Sequence, residues 1–143
     1  MSTSELLLVA HVFLAILSIG PTTVAGSAFP RHAAAAEPGD RRAALRLHRI
    51  CRQYGTLTIG VGAAGAALVA ELGVWSEVWV QAAIGTYLAG LLVLFVGVLP
   101  LQRRLLASDE AGHDRAEVGR LHGVTGLYSL TWSATLVLMI VKP

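Results

Sequence analysis

Four stretches of this 143-residue chain contain no Asp, Glu, Lys or Arg side chain: residues 6–30, 53–70, 78–102 and 121–141. A helix needs about 20 apolar residues to cross the ~30 Å hydrocarbon core of a bilayer, and each stretch is close to that length or longer. The stretches are continuously apolar rather than alternating, which favours helices over the strands of a membrane barrel. The sequence therefore predicts an integral membrane protein with four transmembrane helices.

The composition agrees with this class. Hydrophobic residues make up 55% of the chain and charged residues only 14%, against roughly 25% charged in soluble domains. These values disfavour a soluble enzyme and a nucleic-acid binder, and the single cysteine excludes an intramolecular disulfide. The length allows one domain. We predict an all-α, antiparallel four-helix membrane bundle, with spans at about 6–28, 54–74, 78–101 and 120–141.

The basic residues indicate the topology. Ten of the eleven lie in 29–53 and 102–120. The positive-inside rule makes these connections cytoplasmic and places both termini and the turn 71–77 outside. Trp75 and Trp79 flank that outer turn, as residues of an interfacial aromatic belt would. We expect a multi-pass protein of the bacterial inner membrane with 29–53 and 102–118 in the cytoplasm.

The second helix is expected to extend beyond the membrane as an amphipathic segment. Its apolar stripe has helical spacing and comprises Leu47, Ile50, Cys51 and Tyr54. Its basic face is expected to contact anionic lipid headgroups at about 1 kcal/mol per residue and comprises Arg41, Arg42, Arg46 and Arg49. Asp40 suits the first turn of this helix, where a carboxylate meets the positive end of the helix dipole. Cys51 is interpreted as a small packing residue.

Residues 40–54 and 114–128 match without a gap at an offset of 74. The identities are Asp40 with Asp114, Arg41 with Arg115, Arg46-Leu47-His48 with Arg120-Leu121-His122, and Tyr54 with Tyr128. One interpretation is a tandem repeat of two-helix hairpins, related by an axis along the membrane normal. The other is independent selection of similar cytoplasmic helix starts.

Small residues recur at helical spacing on two helices. Thr58, Gly62, Ala66 and Ala70 form a small-xxx-small face on the second helix, and Gly119, Gly123 and Gly126 do so at the start of the fourth. Such faces are typical of helix–helix contacts in membranes. Close approach to a flat cofactor is the alternative.

Three histidines within or at the ends of spans are the candidate cofactor-binding residues: His11, His48 and His122. A bis-histidine haem needs two imidazoles at one depth, which His48 and His122 satisfy and His11 does not. Arg46 and Arg120 could then meet the propionates of a haem b. The alternative for this pair is hydrogen bonding to headgroups or to a neighbouring helix.

His11 also has two interpretations. It could hydrogen-bond to Gln81 or a backbone carbonyl, or it could act as a ligand or proton-transfer group with Glu71. His32 and His113 are expected to face solvent. The sequence contains no Ser-His-Asp order, HExxH, CxxC or phosphate-binding glycine loop, so no catalytic residue and no metal site is predicted.

The segments LLLVAHVFLAILSIGPTTVAGSAFPRHA (6–33), LHRICRQYGTLTIG (47–60) and LHGVTGLYSL (121–130) resemble bacterial predicted integral membrane proteins with a domain of unknown function. That resemblance implies a four-helix membrane protein and no established activity. The chain is more distantly similar to haem-containing four-helix proteins of the copper-resistance D and membrane protoporphyrinogen oxidase types. Those proteins carry a histidine early in helix 1, which His11 matches, and a basic residue in helix 3, which is missing from 78–101.

Three functions follow from these features. The first is a non-enzymatic membrane protein without a resident cofactor, acting as an accessory subunit beside other membrane subunits or a second copy. The second is a haem-binding redox protein or enzyme that uses the membrane histidines. The third is a small-solute transporter, for which no discontinuous helix pair is visible.

Overall fold

The computed structural model describes residues 2–35, 37–108 and 115–141. Four long helices account for nearly all of them: α1 (Thr3–Ala34), α2 (Pro38–Leu72), α3 (Val78–Ala107) and α4 (Arg115–Val141). Each is long and apolar enough to cross a bilayer, and their lipid-facing sides carry large apolar residues such as Ile16, Val96 and Ile140. The prediction of an all-α, four-helix membrane bundle is confirmed.

The helices pack as two antiparallel hairpins. Helix α1 packs along α2, and α3 packs along α4. The hairpins meet through contacts of α1 with α4 and of α2 with α3. The end of α1, the start of α2, the end of α3 and the start of α4 therefore lie at one end of the bundle. We call it the basic end, because the arginine-rich segments gather there.

The connection 29–53 is mostly helical. Its second part belongs to α2, as predicted for the amphipathic extension, and its first residues belong to α1 rather than to a loop. Helix α1 continues through Pro21 and Pro30 to Ala34, and α2 begins at Pro38. The proline at the first turn of α2 suits a helix start, since its missing N–H would have no partner there. Between α2 and α3, Gly73 adopts a φ of 67° and its N–H caps α2 at Ala70. Glycine tolerates this left-handed conformation without a Cβ penalty.

The two hairpins repeat at the offset found in the sequence. Thr3 and Ala34 plus 74 give 77 and 108, and α3 spans Val78–Ala107. Within each hairpin the crossing contacts also correspond. His11 bonds to Val61 in the first, and Thr86 bonds to Thr135 in the second. The sums 11 + 74 and 61 + 74 give 85 and 135, within one residue of the second pair. The two hairpins thus correspond in the bounds of their first helices and in one crossing contact, which agrees with the tandem-repeat interpretation.

Candidate functional site

A buried glutamine links three helices near the basic end. Gln102 on α3 is 0% exposed, and its Oε1 accepts a hydrogen bond from Nδ1 of His48 on α2 at 2.9 Å. Its Nε2 donates to Sγ of Cys51 at 3.6 Å, and that thiol donates to the carbonyl oxygen of Thr22 on α1 at 3.7 Å. We call His48, Gln102, Cys51 and Thr22 the Gln102 network. It fixes α1, α2 and α3 relative to one another.

A π-helical turn brings Gln102 inside the bundle. Gly90, Leu94, Val98 and Gln102 are all buried at intervals of four residues. In a regular α-helix each four-residue step advances by about 40°, so three steps would turn Gln102 away by about 120°. The turn Val93–Val98 winds less per residue because its bonds reach five residues back, as from Leu99 N–H to Leu94 O. It keeps the four positions on one face.

Helix α4 closes the same region with polar side chains that lack partners. Thr125, Tyr128 and Trp132 are buried. The Thr125 hydroxyl, the Tyr128 hydroxyl and the Trp132 indole N–H make no hydrogen bond within the described part of the chain. The Tyr128 and Trp132 rings pack edge to face at 6.1 Å. Such groups are unfavourable in a bilayer, where no water replaces the missing bonds. The polar interior at this end therefore extends from α1 to α4, and these three groups of α4 lie outside the hydrogen bonds that join α1, α2 and α3.

His11 occupies the other half of the bundle. Its Nδ1 lies 2.9 Å from the carbonyl oxygen of Val61, and Gly65 lies directly against the ring. Of the two hydrogen-bond partners expected for His11, the structure therefore contains the backbone carbonyl. Gln81 and Glu71 are exposed, and the Gln81 amide donates instead to the Trp75 carbonyl at 3.4 Å.

The small residues of α2 make close contacts in this half. Tyr87 on α3 packs directly over Gly62, and its hydroxyl donates to the carbonyl oxygen of Thr58 at 3.0 Å. A side chain at Gly62 would collide with the tyrosine ring. The first two residues of the predicted small-xxx-small face therefore form a helix contact, whereas Ala66 and Ala70 are exposed.

His122 lies in a different environment from its repeat partner His48. It is exposed in a groove on the outside of α1 and α4, opposite Ala28 and Arg31. His11, His48 and His122 each have their own neighbours, and no contact within the described residues joins two of them. The same part of the chain contains no group of three His, Cys, Asp or Glu residues that could hold a metal. The shared haem stays a prediction without a supporting contact.

At the basic end, one of the remaining predictions about polar residues is wrong and another agrees with the structure. His32 was expected in solvent, but it is half-buried and its Nδ1 lies 2.8 Å from Oδ1 of Asp40, which joins the end of α1 to the start of α2. That prediction was wrong because α1 continues far enough to bring the ring beside the next helix. The basic face of α2 is exposed as expected at Arg41, Arg42, Arg46 and Arg49. His113 and Asp114 lie outside the described residues.

Gln102 was not among the site residues predicted from the sequence. It ends the third charge-free stretch, immediately before Arg103 and Arg104, so it was assigned to the cytoplasmic connection. The available signal was an amide side chain at the end of an apolar run.

Comparison of the chain with protein-family models, with curated proteins and with solved structures finds no match.

Proposed function

We propose that this chain is a non-enzymatic, multi-pass membrane protein that serves as an accessory subunit of a membrane assembly. The observation that carries the proposal is the Gln102 network. The network contains a histidine, an amide and a thiol, which are among the chemically most versatile groups of the bundle. All three form hydrogen bonds that hold three helices together. Interhelical hydrogen bonds of this kind are a typical use of polar side chains in membranes.

The half of the bundle that lies away from the basic end supports the same role. Nδ1 of His11, the Tyr87 hydroxyl and the Thr135 hydroxyl all bond to a neighbouring helix. A general acid or base has to reach a substrate, and a side chain that fixes two helices in the membrane interior is poorly suited to that task. The polar interior thus supports a structural function rather than catalysis.

The accessory role concerns the lipid-facing surface. On α4, Gly119, Gly123 and Gly126 have open space where a Cβ would lie, so none of the helices described in the structure covers them. Together with the exposed apolar side chains around them, they leave a surface that a helix of another subunit, or of a second copy, could approach closely. The resemblance to predicted integral membrane proteins, an inner-membrane location and cytoplasmic arginines are parts of the same proposal.

Cysteine cross-linking in native membranes tests the accessory role. With Cys51 replaced by alanine, Gly123→Cys is expected to cross-link to a second copy or to a membrane subunit under mild oxidation. Val96→Cys, on the lipid-facing side of α3 and 67% exposed, is the control and is expected to stay uncoupled. Equal behaviour of the two variants would contradict an accessory surface on α4.

An absorption spectrum tests the haem alternative. The protein is purified from cells supplied with a haem precursor, and the visible spectrum is recorded in lipid nanodiscs. We expect no Soret band. A Soret band that disappears in His48→Ala or His122→Ala would replace the structural function with haem binding.

A further inference from the structure

The outer side of the α1–α4 contact forms a groove at the basic end. It has a volume of about 530 Å³ and is lined by Thr23, Val24, Ser27, Ala28, Arg31 and His122. Eight residues of α1 separate Thr23 from Arg31, which corresponds to about 12 Å along the helix. The groove therefore runs from the apolar part of the bundle to the region expected at the membrane surface.

The tandem repeat explains why this groove is open. His122 corresponds to His48, since 48 + 74 is 122, and Ala28 corresponds to Gln102, since 28 + 74 is 102. At the α2–α3 contact, Gln102 of α3 fills the space and bonds to His48 of α2. In the first hairpin a methyl group stands at that position. His122 therefore faces an open space, whereas the equivalent space beside His48 is filled by the Gln102 amide.

At neighbouring positions, too, α3 has a buried apolar residue where α1 has an exposed polar one. Leu101 and Leu105 of α3 are buried, whereas their counterparts on α1 are Ser27 and Arg31, which are exposed. The α2–α3 contact is closed by apolar side chains and the Gln102 network. The α1–α4 contact instead presents a guanidinium group and a hydroxyl to the outside.

The polar groups of the groove have no hydrogen-bond partner among residues 2–35, 37–108 and 115–141. Most hydroxyls in these helices bond back to a carbonyl of the preceding turn, as Ser18 and Thr22 do. Thr23 and Ser27 make no side-chain hydrogen bond within the described residues, and Arg31 and His122 make neither a hydrogen bond nor an ion pair there. The lining contains no carboxylate.

We propose that this groove binds one anionic phospholipid. Arg31 offers a forked donor for the phosphate, and His122 and the two hydroxyls offer further hydrogen bonds. The apolar lining at Val24 and Ala28 suits the first carbons of an acyl chain. An anionic headgroup is favoured over a zwitterionic one because a positive charge faces the groove and no carboxylate in the lining balances an ammonium group.

Native mass spectrometry from detergent micelles with added phosphatidylglycerol tests the site. The wild-type protein is expected to retain one phosphatidylglycerol molecule at low lipid concentration. Ala28→Gln restores the residue that the second hairpin has, fills the groove and gives His122 an internal partner. It is expected to weaken retention at least tenfold. Ser27→Leu copies Leu101 and is a second way to fill the groove, with the same expected loss.

Charge variants separate this site from general attraction to the membrane surface. Arg31→Gln is expected to weaken phosphatidylglycerol retention about fivefold, the effect of one basic residue at an anionic surface. Arg49→Gln, at an exposed arginine of α2, and Ala134→Gln, on the lipid-facing side of α4, are matched controls and should change retention less than twofold. Inorganic phosphate should not compete, because it lacks the acyl chain.

Three results would overturn the proposal. The first is equal retention by wild type, Ala28→Gln and Ser27→Leu, provided that circular dichroism and the thermal midpoint show folded variants. The second is an equal loss in Arg31→Gln and Arg49→Gln. The third is equal retention of phosphatidylcholine and phosphatidylglycerol by the wild type.

Discussion

Replacing Gln102 with leucine removes the centre of the Gln102 network while nearly keeping the side-chain volume. The substitution deletes the bond from His48 at 2.9 Å and the bond to Cys51 at 3.6 Å. The loss strands no group completely, because His48 is half-exposed and the Cys51 thiol keeps the Thr22 carbonyl. Leucine gains little in return, since burial from lipid is not driven by the hydrophobic effect.

The expected loss follows from these two bonds. Interhelical hydrogen bonds in membrane proteins average about 0.6 kcal/mol and reach about 1.7 kcal/mol. Two bonds, one of them to sulfur, should therefore lower the free energy of unfolding by about 1–2 kcal/mol. Gln81→Leu is the matched control. The Gln81 amide is exposed with a single 3.4 Å bond, so its loss should stay below about 0.5 kcal/mol.

Unfolding in mixed micelles titrated with sodium dodecyl sulfate, followed by tryptophan fluorescence, measures both variants. A double-mutant cycle with His48→Ala isolates the bond between the two side chains, and we expect a coupling of about 0.5 kcal/mol or more. Gln102→Leu no less stable than Gln81→Leu, or a coupling near zero, would refute the claim that the network holds the helices together.

Three further substitutions test other parts of the bundle. Gly62→Ala should destabilise the protein by about 1–3 kcal/mol through overpacking against Tyr87, whereas Gly60→Ala, with open space at its Cβ, should be neutral or slightly stabilising in the same unfolding assay. His11→Leu should lower stability by about 1 kcal/mol through loss of the Val61 bond, and an unchanged unfolding curve would argue against that bond. In a Cys51→Ala background, an impermeant maleimide added from outside should label Ser76→Cys and not Arg41→Cys, and the opposite pattern would reverse the topology.

The class of the protein and its helix count could be predicted because they depend on local composition. Four charge-free stretches of membrane-spanning length specify helices wherever the solvent is lipid, since only internal hydrogen bonding satisfies the backbone there. The repeat at an offset of 74 was visible for the same reason, as a match between residues 40–54 and 114–128. Asp40 was correctly placed in the first turn of α2.

Less of the candidate site could be predicted from the sequence. The histidines were identified, and bonds from His11 to a backbone carbonyl and from His48 to a neighbouring helix were among the alternatives. The partner residues Val61 and Gln102 were not named, because a partner on another helix leaves no local mark in the sequence. Gln102 was passed over since its depth was judged from the adjacent arginines. Within the π-helical turn that rotates Gln102 inward, Leu94 packs against Gly55 and Gly97 packs against Val124. These are contacts between helices, which the sequence of α3 alone does not specify.

The sequence by itself determined that this chain forms four membrane-spanning helices with the basic residues at one end. Hydrophobicity, length and charge are properties of each segment and act before any helix meets another. Only the tertiary structure decided that two equivalent histidines differ, with His48 bonded to a buried amide and His122 exposed in a groove. The physical reason is that a side chain's partner is set by the facing helix. One half of the repeat presents Gln102 there, and the other presents Ala28.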